Sequence, residues 1–247
     1  MMGSGFGSIF GPEDFNPMLT VVSNTLTATG TVVDLGNTSG NALLVTDTGK
    51  VVSTGVGGTA ISGLANDQSV AVYGMAVSSD GTAISLQGDF SMVTIGSTGV
   101  VQDINTGAFA FVTLYCPGNN ATVLNDGTII GGRGVYIGSG DLINSGLIQS
   151  YLDHAVDIIR AGRVFNTGTI QSTNTGIPSN KFAVEIDGSA LVENGGSILG
   201  GVLTGSSNDT VRNSGLITGD IQLGLGNDSY DGRGGQAKDT VFGGGGV

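Results

Sequence analysis

The chain has 247 residues, 46 of them Gly, with 11% charged residues and a formal net charge of −12. Eight Lys and Arg residues, scattered from Lys50 to Lys238, disfavour a nucleic-acid partner, because phosphate recognition needs clustered cations. Hydrophobic residues reach 39% and fall in short periodic runs, unlike a disordered Gly-rich linker, and no segment has the apolar length of a membrane span. The single cysteine, Cys116, excludes an internal disulfide.

Residues 1–18 set Phe6, Ile9, Phe10 and Phe15 among glycines, and read either as a cap on the adjoining strands or as an unstructured leader. They lack the basic start and continuous apolar run of a secretory signal. From Leu19 onward the pattern is one of short strands and tight turns. Residues 45–51 (VTDTGKV), 64–70 (LANDQSV) and 95–101 (IGSTGVV) read as loose copies of one turn phrase. In them Asp47 and Ser97 stand in its Asn position, and Gln68 in its Gly position.

The phrase is regular in the second half, where aliphatic-x-Asn-x-Gly-x-Ile occurs five times. Its asparagines, Asn125, Asn144, Asn166, Asn194 and Asn213, are separated by 19, 22, 28 and 19 residues. Such spacing is the length of one coil of a β-solenoid. Asn and Gly are the residues that tolerate left-handed backbone at a turn, and Asn side chains stacked on successive coils form a ladder. Between the turns lies a strand phrase at residues 82–86, 133–137, 154–158 and 182–186, with an earlier copy at 59–62. Period-two alternation turns Ile84, Val135, Val156 and Val184, with Leu86, Ile137, Ile158 and Ile186, inward. Ser85, Tyr136, Asp157 and Glu185 then face outward. The best helical candidate, residues 150–163, fits the strand phrase better. The fold expected is all-β, a parallel β-helix or β-solenoid of about nine or ten coils over residues 19–220. Its exposed strand edges at the two ends are places for self-association.

Residues 221–247 change character. Gly224-Leu225-Gly226-Asn227-Asp228-Ser229-Tyr230-Asp231 fits a glycine-rich nonapeptide, G-G-x-G-x-D-x-U-x, with Leu223 at its first glycine. Asp209 closes a degenerate copy upstream, and the glycines at 243–246 begin a further one. The N-x-G-x-I turns resemble the passenger repeats of bacterial autotransporters and adhesins, and the tail resembles the entry into hemolysin-type (RTX) calcium-binding repeats. These resemblances imply a right-handed parallel β-helix from a secreted or cell-surface bacterial protein, with 221–247 a partial calcium-repeat transition. They also imply Ca²⁺ held by Gly224, Gly226 and Asp228, with Asn227 a weaker candidate, because Ca²⁺ takes six to eight oxygen ligands and glycine lets carbonyls turn toward one ion. A complete site needs a neighbouring turn.

A catalytic alternative rests on Tyr151, Asp153, His154, Asp157, Arg160 and Arg163, joined on the next coil by Glu185 and Asp187. Asp157 and Glu185 share one phase and fall roughly one strand spacing apart, near the roughly 5 Å of a retaining glycosidase. Outward carboxylates on a solenoid are ordinarily solvated, however, and Arg160 or Lys181 can neutralise these two. The function expected is therefore non-catalytic: a structural or adhesive module contacting a carbohydrate or other cell-surface ligand. A polysaccharide lyase or glycosidase is the alternative.

Overall fold

The computed structural model describes residues 17–105, 111–174 and 182–246. The cap or leader expected at residues 1–18 lies almost wholly outside them. No helix occurs among the described residues, and thirty short strands form three parallel sheets of ten strands each. One rung runs Ala121–Asn125 in the first sheet, Thr128–Gly131 in the second and Arg133–Ile137 in the third. Each strand pairs in parallel with its counterpart one rung on, so the ten rungs make a β-solenoid of about nine turns. Nine steps of about 4.8 Å give a rod about 43 Å long. The sheets continue past residue 220 through Ser229–Asp231, Gln236–Ala237 and Val241–Phe242.

Strands form here because apolar residues alternate at period two and each inward side chain lands on its own kind in the next rung. Val123, Leu142, Val164, Val192 and Val211 stack in the first sheet, and Ile129, Ile148, Ile170, Ile198 and Ile217 in the second. The third sheet carries Ile84, Leu114, Val135, Val156 and Val184. All of these are buried. The candidate helix at 150–163 is instead the strand Val156–Ile158 followed by the start of Gly162–Asn166.

The asparagines form a buried ladder at the end of the first-sheet strands. Each Nδ2 donates to the Oδ1 one rung on: Asn125 to Asn144, Asn144 to Asn166 and Asn166 to Asn194 at 2.7 Å, and Asn194 to Asn213 at 2.8 Å. The Asn carbonyls are used as well. Asn125 O accepts from Ser145 N and Gly146 N, so the next rung's turn is tied to this one.

The first-half register differs from the sequence reading. Ile95 pairs with Asn125, and Val72 and Val45 precede it in the same column, so aliphatic residues fill the Asn position there, not Asp47 or Ser97. The turns after Val45 and Ile95 are two residues longer than those after the asparagines, which displaced the match. Residues 64–70 belong to another corner, between the third and first sheets. Gln68 is no glycine substitute. It is fully buried and its Nε2 donates to the carbonyls of Leu35, Gly36 and Thr38.

The glycines of the phrase are required for space, not for left-handed backbone, since none of Gly127, Gly146, Gly168, Gly196 and Gly215 has a φ in that region. A Cβ on Gly168 would lie 2.2 Å from the carbonyl oxygen of Gly146, and one on Gly196 the same distance from that of Gly168. The non-glycine left-handed residues among those described, Asp67, Phe90 and Asn120, all sit at the third-to-first corner, as does Gly40.

Because Ile95 lies beneath the ladder, Asn125 Oδ1 is buried without a hydrogen-bond partner. An Asn166→Leu variant strands the Asn194 oxygen in addition, and is expected to lose about 1–3 kcal/mol in urea unfolding. Asn125→Leu removes one stranded oxygen and creates another at Asn144, so its loss is expected to be smaller. Equal losses would refute this account of the ladder. Gly168→Ala is expected to lower the melting temperature, whereas Gly243→Ala, with open space around its Cβ, leaves it unchanged.

Candidate functional sites

Two places bring together the residues singled out in the sequence. The first is the third-to-first corner at the C-terminal end. Its glycine loops stack: a Cβ on Gly224 would meet Gly205 O at 1.8 Å, and one on Gly244 would meet Gly224 O at 1.5 Å. Likewise a Cβ on Gly226 would lie 2.1 Å from Ser207 O, and one on Gly246 2.4 Å from Gly226 O. Gly224 and Gly226 have φ of +76° and +139°, so backbone conformation as well as space demands glycine. The glycines at 243–246 thus lie over the loop of Gly224 and Gly226 as its neighbouring turn.

Asp209 and Asp228 stand on consecutive rungs beside these loops, next to the paired residues Thr210 and Ser229. Asp209 Oδ1 accepts from Ala190 N at 2.8 Å, and Asp228 Oδ1 accepts from Asp209 N at 2.9 Å. The other oxygen of each carboxylate is buried and has no hydrogen-bond partner. Burial raises the Asp209 carboxyl above its ordinary range, against the Ala190 N–H and Thr204, and the neighbouring Asp228 charge adds to the rise. Asn227 N donates to Asn208 Oδ1 at 2.8 Å, which ties the loops together. Among the described residues no group of three or more His, Cys, Asp or Glu side chains is arranged to hold a metal ion, so any cation here would rely on the two carboxylates and on carbonyls. Two buried, unpartnered carboxylate oxygens beside carbonyl-rich loops fit a hard divalent cation. The partner aspartate, Asp209, was legible as the residue 19 positions before Asp228.

The second place is the outer face of the third sheet, where Tyr115, Tyr136, Asp157 and Glu185 follow one another in register. The Tyr115 and Tyr136 rings are 5.0 Å apart and tilted by 34°. Arg133 Nε lies 2.8 Å from Asp153 Oδ2, and its Nη2 3.6 Å from Asp157 Oδ2. His154 Nδ1 approaches Glu185 Oε2 at 2.8 Å, close enough to pair charges but not aligned as a hydrogen bond. Arg160 does not neutralise the carboxylates. It spans two rungs to donate to the carbonyls of Pro117 and Gly118. Lys181 lies outside the described residues. Arg163 pairs with Asp141 on the first sheet, away from the cluster. Sequence reading missed Arg133 and Tyr115; Val112-x-Leu114-x-Cys116 was the available signal that the Tyr115 strand repeats the phrase.

Two grooves lie elsewhere, along the outer face of the first sheet. One of about 620 Å³ includes Asp141, Arg163 and Arg212, and another of about 410 Å³ includes Phe165, Glu193, Arg212 and Arg233. Their guanidiniums are paired, Arg163 with Asp141, Arg212 with Glu193 and Arg233 with Asp231, which leaves little uncompensated charge for a ligand.

Burial pushes the Asp157 carboxyl up to about 6 against the pull of Arg133, while His154 beside it lowers Glu185. Burial lowers His154, but Glu185, Asp153 and Asp157 outweigh it and raise the imidazole overall. Asp103, fully buried in the second sheet, is likewise pushed up to about 6 by burial, although Asn105, Gly81 and Gly132 donate to it.

A carboxyl raised in the folded state favours the protonated native protein, so its contribution is present at low pH and lost as pH rises through about 6. His154, also raised, acts in the same direction. The lowered Glu185 acts oppositely, but only below the ordinary carboxylate range. Stability is therefore expected to be greater at pH 5 than at pH 7.5, by on the order of 1 kcal/mol for each of Asp103 and Asp157, and the melting temperature higher with it. Asp157→Asn should shrink the difference. A midpoint that is flat or falls toward pH 5 would show that these groups are not strained by burial. The chain matches no known protein family, no curated protein and no solved structure.

Proposed function

We propose that the chain is a non-catalytic structural or adhesive module of a secreted or cell-surface bacterial protein, stabilised by calcium at its C-terminal end. The observation that carries the reading is the pair of buried, unpartnered carboxylate oxygens of Asp209 and Asp228 on consecutive rungs beside stacked glycine loops. Asp228 supplies a hard oxygen ligand, and Gly224 and Gly226 supply a backbone close-packed enough to add carbonyls. Asp209 joins them as a residue of the same site. Asn227 stays at its edge, where its backbone is tied to Asn208.

An adhesive role is supported by the contrast between the two sides of each strand. Inward positions repeat aliphatic residues for many rungs, whereas the outward third-sheet column changes from Ser85 through Tyr115 and Tyr136 to Asp157 and Glu185. Varied side chains on a rigid rod make multipoint contact without requiring a cleft. A cleaving enzyme is less well supported, since Asp157 is engaged by Arg133 and Glu185 by His154.

With an affinity in the range of extracellular calcium modules, about 10⁻⁴–10⁻³ M, Ca²⁺ at about 5 mM would add roughly 1–2 kcal/mol. For a domain of this size that is a rise of about 2–8 °C in melting temperature. The rise is expected with Ca²⁺, to be reversed by chelator and to be lost in Asp228→Asn and Asp209→Asn. An unchanged melting curve on adding Ca²⁺ would eliminate the calcium role.

A further inference from the structure

We propose that the outer face of the third sheet around Tyr115, Tyr136, Asp157 and Glu185 is a binding site for a neutral saccharide lying along the rod. The proposal rests on the adhesive reading and names its ligand class. Three observations carry it. The four side chains occupy one column, one per rung, so an extended ligand along the axis meets two aromatic rings and then two carboxylates at steps of about 4.8 Å. The Tyr115 and Tyr136 rings, 5.0 Å apart and tilted by 34°, lie partly stacked on each other, so the column presents ring edges and phenolic hydroxyls, which suit the C–H and hydroxyl edges of a sugar ring.

The second observation is that the polar groups beside the rings are held in place before any ligand arrives. Arg133 bridges Asp153 and Asp157, and His154 is pinned against Glu185. Side chains already fixed by such contacts lose little further freedom on binding. Carboxylates accept from adjacent hydroxyls and the guanidinium donates, so the cluster provides both halves of polyol recognition.

The third observation is charge. Asp153, Asp157, Glu185 and Asp187 outnumber Arg133 and Arg160, with His154 adding at most one positive charge. A uronate or sulfated chain would bring further negative charge to a face already in excess, which costs binding. A neutral chain has no such penalty. A metal ion is a poorer occupant, since these side chains do not form a metal-binding group.

Affinity electrophoresis of the full chain through gels containing xylan, galactomannan, mixed-linkage β-glucan or, separately, polygalacturonate tests the site. Retardation is expected in at least one neutral gel and not in polygalacturonate. Tyr136→Leu, which keeps apolar bulk in the column, and Tyr115→Leu are each expected to weaken it about tenfold without lowering the melting temperature by more than a few degrees. Asp157→Asn should weaken it several-fold. Failure to migrate more slowly in any neutral gel, retardation by polygalacturonate alone, or full retention of binding in both tyrosine variants would overturn the proposal. Reducing ends released from the bound polymer would instead overturn the non-catalytic reading and leave the saccharide site standing, and the calcium melt is independent of both.

Discussion

Every part of this molecule depends on one constraint: each residue sits about 4.8 Å above its counterpart in the preceding rung. A buried polar group in such a stack can be satisfied only by what the neighbouring rungs place beside it. The asparagine ladder solves this by repetition, since an amide carries both donor and acceptor and hands one of each to its neighbours. Where the repetition stops, at Ile95, one amide oxygen is stranded. The first half of the rod avoids the problem by filling the same column with Val45, Val72 and Ile95. Two chemistries therefore occupy one column, and their junction at Asn125 is where they conflict.

The same constraint accounts for the glycines and for the C-terminal carboxylates. Backbones at the turns approach so closely that a single Cβ would meet the carbonyl of the rung before it. At Asp209 and Asp228 the stack spends one oxygen of each carboxylate on a backbone N–H of the preceding rung and leaves the other buried and unpaired. An unpaired buried carboxylate oxygen is costly, and a bound cation is one way of relieving it. Structural stacking and the proposed cation site thus share the same two residues.

Outward side chains are released from this repetition, which is where recognition has room to vary. On the third sheet the residues stand half-buried in a line on the outer face, and the links between them run from rung to rung: Arg133 to Asp153 and Asp157, His154 to Glu185. The rod's rigidity holds the two rings and two carboxylates at fixed spacing. Nothing in the hydrophobic core specifies which residues stand there.

The amino-acid sequence by itself determined the solenoid, the inward columns of the third sheet and the asparagine ladder, because in a stack of equivalent rungs periodicity in sequence is periodicity in space. It also carried the two aspartates 19 residues apart that meet at the C-terminal corner. The tertiary structure decided the first-half register, since turns lengthened by two residues after Val45 and Ile95 shift a local match without changing its appearance. It alone showed that the phrase glycines answer to a carbonyl in the preceding rung and not to φ, because that clash involves a residue a whole coil away. And it alone brought Arg133 and Tyr115 to the acidic cluster, since pairing across rungs depends on coil lengths that vary and that no local motif records.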